Sequence, residues 1–408
     1  MCLTMHCRAP IESIVLFFSL VIGISVSKGT IGRVRTACAK KAKKFDSEIN
    51  LEGIREIATD EIFQQGKPIL TGIDLDSHYT FMMDPAEDRT GDTWKRTLEK
   101  YKARGLQPAV NVSDNGSGLR KGIQEAFPAV SLQADAFHML RDLGAEIQHI
   151  DKYCINKLDE YYKLKNRIVR DIGKKIPNKI WAKKYELEES IPLILRQVDE
   201  INILYEWLKE YVNFSGMPYI QNLSLCTWIL DEMRIRFPEK VKFQRAVCTF
   251  LHHLPELLSF LKVVQEKIKV KSEEYNHIDV HDFMLLCQHM YCYNDITTNN
   301  YVERRLYRRF KEHLSEACHA LDEIVKSIHR ASSMIENVNG RIRCFINLKR
   351  EIPEHFMILI KVFFNTKKPF RSRRKDWKNK SAAERLTGKC YPEFLDIVCD
   401  PINYIIAK

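Results

Sequence analysis

The chain has 408 residues, 45% apolar and 29% charged, an ordinary globular balance with room for two or three domains, each with its own core. Lys and Arg outnumber Asp and Glu by 64 to 53, a formal charge of +11 that favours a polyanionic partner. The 12 cysteines are scattered with no CxxC pair, which argues against a zinc framework and fits free thiols in a reducing cytosol. The nearest thing to a cluster, CQHMYC from Cys287 to Cys292 around His289, lacks the paired spacing of a zinc site, and buried thiols are the better reading.

The first segment, IESIVLFFSLVIGISVS, follows Arg8 and resembles the apolar core of a signal peptide. It is short for a membrane span, which needs about 20 apolar residues. The preferred reading is a helix-turn-helix: a first helix from Ile11 to Ile22, a turn at Gly23, and a second helix, SKGTIGRVRTACAKKAKKF, capped by Ser27. Ser27, Lys28, Thr30 and Arg33 at its start are candidate DNA contacts, and the Lys run behind them suits phosphate. Residues 1–50 therefore read as a shortened DNA-binding segment.

From Ile54 to Leu143 strands alternate with helices. EIATDEIFQ alternates as a half-buried strand, KPILTGIDL reads as an interior strand and HYTFMM as a third. The short links QQGK and DLDS make the three an antiparallel meander. Asp92 to Arg104 has helical spacing, with Trp94, Leu98 and Tyr101 on one face and Gly105 placed to end it. PAVNVSD is a fourth strand, reached by a crossover and so expected parallel to the first. A short helix from Gly118 to Phe127, the strand VSLQAD and a further helix beginning FHMLRDLGAEI follow. Three hairpin strands and then two α/β units is the order of a ribonuclease H-like mixed five-stranded sheet.

Residues 147–326 lose the strand signal and show long amphipathic stretches such as NKLDEYYKLKNRIVRDI, the pattern of a helical insertion. Residues 327–370 read as helices that complete the first core. Residues 371–408 open with KKPFRSRRKDWKNK, a basic stretch expected as an exposed arm, in which Arg371, Arg373 and Arg374 are candidate DNA contacts.

Three acids lie in distinctive local patterns: Asp60 in REIATDEIFQQ, Asp114 in AVNVSDNGSGLRKGIQEAF and Glu336 in SSMIENVNGRIRCFINLKR. On strand, strand and helix they read as a metal-binding carboxylate triad. Two Mg²⁺ ions about 4 Å apart can activate a nucleophile and stabilise a leaving oxygen in phosphodiester chemistry. Mg²⁺ takes hard oxygen ligands, and uncompensated carboxylates repel by roughly 4 kcal/mol per close pair at intermediate dielectric, so such a site attracts divalent cations. Asp74 and Asp76 compete for the first position but sit in a turn, where Asp bonds nearby backbone. Glu61 points to the other strand face. Glu303, in TTNNYVERRLYRRF, is the rival for the third position. Asn339 at i+3 and Arg343 at i+7 share the helix face of Glu336, and Arg343 could meet a DNA phosphate.

These pieces resemble the DDE transposases of bacterial insertion sequences and their Mutator-like relatives. TDEIFQQGKPILTGID resembles the segment of the first aspartate, VSDNGSGLRKGIQEAFP that of the second, and SSMIENVNGRIRCFINL with KVFFN and KSAAERLTGK that of the third acid. The resemblance implies a catalytic and metal-binding role for Asp60, Asp114 and Glu336 with Mg²⁺ or Mn²⁺, strand cleavage at transposon ends, and strand transfer into target DNA. It further implies double-stranded DNA as partner, a homo-oligomer on that DNA, and a place in the bacterial cytoplasm at the nucleoid. Asp135-Ala-Phe-His138 resembles the "Asp or Cys, two residues, His" motif of several transposase superfamilies, which makes His138 a candidate catalytic residue. The competing readings are an inactive DNA-binding remnant of such an enzyme, and an exported or membrane-tethered protein that uses its apolar N-terminus.

Overall fold

The computed structural model describes residues 1–399 except 115, 276–277, 292–299, 329–332, 348–351, 370, 373 and 375–376. It divides into two compact units, Met1–Gln133 with Ala331–Lys408, and Ala134–Arg330. The first unit is discontinuous in sequence because the second is inserted into it.

The first unit opens with helices α1 (Cys2–Met5) and α2 (Ile11–Phe17), the latter extended by a π-helical turn over Phe18–Ile22. Gly23 then takes a left-handed conformation (φ 75°), and the Ser27 side chain caps α3 (Lys28–Glu48), accepting from Thr30 N at 3.0 Å. The helix pair and its cap are as the sequence indicates. Cys38, Ala39 and Ala42 of α3 are buried in the core of this unit, so the second half of the helix is built into the fold.

Strands β1 (Glu56–Gln64), β2 (Lys67–Asp74) and β3 (Thr80–Pro85) form the antiparallel meander; α4 (Gly91–Lys102) leads to β4 (Val110–Ser113), and α5 (Ser117–Ala126) leads to β5 (Ser131–Ala134). The sheet order is β3-β2-β1-β4-β5, with β4 parallel to β1. This is the mixed five-stranded sheet expected of a ribonuclease H-like core. One face carries Ile57, Leu70 and Phe81 against Trp94, Leu98 and Ile123 of α4 and α5. The other carries Ala58, Ile62 and Val112 and takes the helices that return after the second unit.

The second unit is helical throughout its described residues: α6 (Ala136–Arg170), α7 (Asn178–Asn213), α8 (Tyr219–Arg236), α9 (Val241–Leu257), α10 (Phe260–Ser272), α11 (Val280–Tyr291), α12 (Asn300–Phe310) and, after a 3-10 turn over Lys311–His313, α13 (Leu314–Lys326). Helix α6 runs unbroken through residue 147, and the division between the units falls earlier, where β5 passes into α6. By length and composition the stretch Val241–Ser272 could cross a membrane. It is two helices that break at Leu258 and Ser259, and Phe243, Phe250, Leu254, Leu261 and Ile268 fill the core of this unit. Cys287 is buried there, which pushes its thiol up to about 12, the behaviour of an inert core cysteine. Cys292 lies outside the described residues.

The chain re-enters the first unit with α14 (Ser333–Ile346), α15 (Glu354–Thr366), α16 (Ala382–Thr387) and α17 (Phe394–Val398). Ile335, Val338 and Ile342 of α14 and Phe356, Leu359 and Phe363 of α15 complete the core on the Ala58 face. The C-terminal stretch is not an exposed arm throughout. Ser381 and Glu384 form a capping box on α16, whose Ala382 and Ala383 are buried, and Arg385 Nε donates to the Ser77 carbonyl at 2.9 Å.

Helices α4 and α5 approach closely because Gly122 has no side chain. A Cβ there would overlap Trp94 Cβ and the Gly91 carbonyl oxygen. Gly122→Ala is therefore expected to destabilise the protein by about 1–3 kcal/mol despite its better helix propensity, measured as a lower urea midpoint.

Candidate functional site

The register of the sheet sets where the first two acids stand. β1 and β4 pair in parallel, with Ile57 opposite Asn111 and Ala58 opposite Val112. Asp60 lies two residues past Ala58, and Asp114 lies two past Val112, just beyond the end of β4. Side chains alternate along a strand, so Asp60 lies on the sheet face of Ala58 and Ile62, on which α14 packs. The neighbours of opposite parity confirm the sense. Thr59 donates its hydroxyl to Asn111 Oδ1 at 2.9 Å, and Glu61 pairs with Arg89 Nη1 at 2.9 Å. The expectation that Glu61 faces away from Asp60 is thus met.

The third acid is carried to this face by α14. Asn339, fully buried, donates its Nδ2 to Asp60 Oδ2 at 2.6 Å. The Thr71 hydroxyl lies within hydrogen-bond reach of both Asn339 Oδ1 (3.2 Å) and the Asp60 carbonyl oxygen (2.9 Å). Further along, Gln64 donates to the Ile346 carbonyl and accepts from Ile352 N at 3.0 Å, bracing the end of the same helix. Glu336 stands one turn before Asn339 and is half-buried, with Arg343 Nη1 at 3.5 Å from its Oε2. Asp60 Oδ1 also accepts from Glu61 N at 2.8 Å, and Asp114 Oδ1 accepts from Gly116 N at 3.0 Å, so each acid has a local orienting bond.

The competing acids lie elsewhere. Asp74, paired in the sheet with Ile57, is buried and accepts from Ser77 N at 2.9 Å and from the Ser77 hydroxyl, a turn role. Burial pushes its carboxyl above the usual range, against the lowering effect of the Ser77 bonds. Glu303 belongs to the second unit, on α12, with His289 Nε2 at 3.7 Å.

His138 also lies in the second unit, at the start of α6. Asp135 caps that helix, accepting from Phe137 N at 2.9 Å, and its other oxygen holds His138 Nδ1. The Asp135–His138 contact fixes the ring by its Nδ1.

The candidate DNA contacts are placed as follows. Ser27, Lys28, Thr30 and Arg33 stand at the exposed start of α3; Lys28 pairs with Glu12 at 2.8 Å, and Arg33 Nη2 donates to the Thr30 hydroxyl at 3.4 Å. Arg371 and Arg374 are exposed, and the Arg374 guanidinium lies 4.6 Å from the centre of the Trp377 ring. Arg373 lies outside the described residues.

Among the described residues no group of three or more His, Cys, Asp and Glu is gathered tightly enough to hold a metal ion. The three acids supply only carboxylate oxygens, the donor type that Mg²⁺ and Mn²⁺ accept. Asn339 and Arg343 already engage two of them. Clefts of about 600 and 640 Å³ flank β3 in the same unit, and none of the three acids lines either. Sequence reading placed Asn339 on the right helix face, but Thr71 and Gln64 carried no signal that could have marked them.

The fold is a mixed-sheet α/β domain interrupted by a helical unit, with Asp60 on β1, Asp114 just past β4 and Glu336 on the helix that bonds to Asp60 through Asn339. Residues 20–191 match the sequence model of the family described as Transposase, Mutator family. The matched stretch contains α3, the whole sheet with Asp60 and Asp114, and α6. The match supports a transposase function. Comparison with curated proteins found no match.

Replacing Asn339 tests the bridge directly. Asn339→Leu leaves buried oxygens of Asp60 and Thr71 without their amide partner and should cost about 2–3 kcal/mol. In a double-mutant cycle with Thr71→Val the two losses should be less than additive, by urea denaturation.

Proposed function

We propose that the protein is a DNA transposase that cleaves strands at transposon ends and transfers them into target DNA, with Asp60, Asp114 and Glu336 as metal-binding catalytic acids. The observation that carries this reading is the bond from Asn339 to Asp60, which joins the helix of Glu336 to β1 beside parallel β4, within a unit whose first part matches the Mutator family. Glu336 is preferred over Glu303 because its helix is bonded to Asp60 itself through Asn339.

Bound Mg²⁺ or Mn²⁺ would activate the attacking oxygen and stabilise the leaving one. The protein supplies the rest. Asp60 and Asp114 are held at neighbouring strand ends by the β1–β4 register, and Asn339 fixes one Asp60 oxygen. Arg343 offsets the charge of Glu336 and is free to turn to a DNA phosphate once cations take over that task. His138, oriented through Nδ1 by Asp135, can donate or accept at its other nitrogen. Ser27, Lys28, Thr30, Arg33, Arg371, Arg373 and Arg374 serve as backbone contacts. Synapsis of two transposon ends calls for a homo-oligomer on double-stranded DNA, and such chemistry places the protein in the bacterial cytoplasm at the nucleoid.

The test is cleavage of a duplex that carries the element's ends. Nicking should require Mg²⁺ or Mn²⁺ and stop on chelation. Asp60→Asn, Asp114→Asn and Glu336→Gln should each lower the rate by at least about 100-fold while DNA binding is retained. Full activity in all three would remove the assignment. Salt-sensitive binding without cleavage in the unaltered protein would instead identify a DNA-binding remnant.

A further inference from the structure

We infer that α12, in the helical second unit, is a docking surface for the phosphate backbone of double-stranded DNA. The inference takes duplex DNA as the partner from the transposase reading, and otherwise stands on the helix itself. The sequence of α12 is NYVERRLYRRF. Leu306 and Phe310 are buried in the core of the unit, and Val302 packs against it. At 100° per residue this fixes the outer face: Tyr301, Arg304 and Arg308 lie along it, with Tyr307 and Arg305 at its margins and Arg309 nearer the buried side. The two tyrosines are 78% and 68% exposed, unusual for aromatic side chains with nothing apolar to gain from water.

The four arginines fall into two pairs. Arg305 and Arg309 both reach the buried carboxylate of Asp282, at 3.3 and 3.5 Å, and are thereby compensated. Arg304 and Arg308 are also spaced i, i+4, are exposed, and have no acidic partner among the described residues. Like charges at that spacing destabilise an isolated helix by a few tenths of a kcal/mol. A polyanion across the outer face removes that cost, and the flanking tyrosine hydroxyls are of the type that bonds phosphate oxygens. Arginine with exposed tyrosine suits backbone contact, which positions the duplex and reads no sequence. Glu303 points away from this face, toward His289.

The experiment measures binding of the full chain to a labelled 30-base-pair duplex of arbitrary sequence by fluorescence anisotropy over a range of salt concentrations. Arg304→Gln with Arg308→Gln should weaken binding roughly tenfold or more at about 0.1 M salt. It should also flatten the slope of log affinity against log salt by about 2, the loss of two phosphate contacts. Arg304→Lys with Arg308→Lys should restore most of the slope, which separates charge from misfolding. Lys163→Gln with Lys165→Gln, equal in charge and exposed on α6, should change the slope little. If both Gln pairs weaken binding alike, the effect is net charge and the inference fails. If the wild-type chain binds and nicks DNA and the arginine pair changes neither affinity nor slope, this inference alone falls. If the wild-type chain binds no duplex at all, it falls together with the transposase reading.

Discussion

The first unit is closed by one buried amide. Asn339 lies 279 positions from Asp60, yet the two are bonded at 2.6 Å. Between them the chain leaves the sheet, builds a second unit, and returns. Returning α14 to the correct place on β1 cannot rest on apolar contact alone, because a row of isoleucines and valines can slide by a turn with little penalty. The amide removes that freedom. Its nitrogen needs the Asp60 oxygen and its oxygen needs the Thr71 hydroxyl, and a shift of either leaves a buried polar group unsatisfied at a cost of about 1–3 kcal/mol. The same bond that anchors the helix therefore sets where Glu336 stands relative to the sheet.

A second polar centre fixes the other helices of this unit. Asp46, near the end of α3, is buried and accepts from Lys361 Nζ at 2.8 Å, from Arg104 Nη1 at 3.0 Å and from the Tyr79 hydroxyl at 3.2 Å. Burial first, and then the charge of Asp46, raises the Tyr79 hydroxyl well above its ordinary range, so it remains a neutral donor. Lys361 also donates to the Phe81 carbonyl oxygen at 3.1 Å, which ties α15 to β3. Buried ion pairs contribute little net stability compared with well-packed apolar residues, but they penalise every wrong arrangement. Here they lock α3, whose exposed start carries Ser27 and Lys28, to the sheet that carries the acids. Helix α3 thus begins at the surface and ends in the core of the first unit.

Much of this was legible in the chain. The alternation of EIATDEIFQ gives β1, the tight links give the meander, and a crossover of helical spacing gives the parallel β4. The positions of Asp60 on β1 and of Asp114 just past β4 were legible from strand period and strand order. Asp74 could be set aside as a turn residue from its neighbours, and the bonds from Ser77 agree. Glu336 was read ahead of Glu303 because the residues that follow it, KVFFN and KSAAERLTGK, resemble the third-acid region and those around Glu303 do not. The arginines of α12 were not legible, because RRLYRR declares its charge but not which side of the helix is buried.

What the sequence determined by itself is local: periods of two and of 3.6, caps such as Ser27 and Asp135, and the acids that fall at strand ends. These follow from interactions within a few residues of chain, where backbone geometry leaves few alternatives. What the tertiary structure decided is which distant groups meet. Asn339 with Asp60, Lys361 with Asp46, and Arg305 and Arg309 with Asp282 are each one pairing among many of similar local energy. Only the burial of both partners, which makes any other arrangement leave a charge or an amide unsatisfied, selects them.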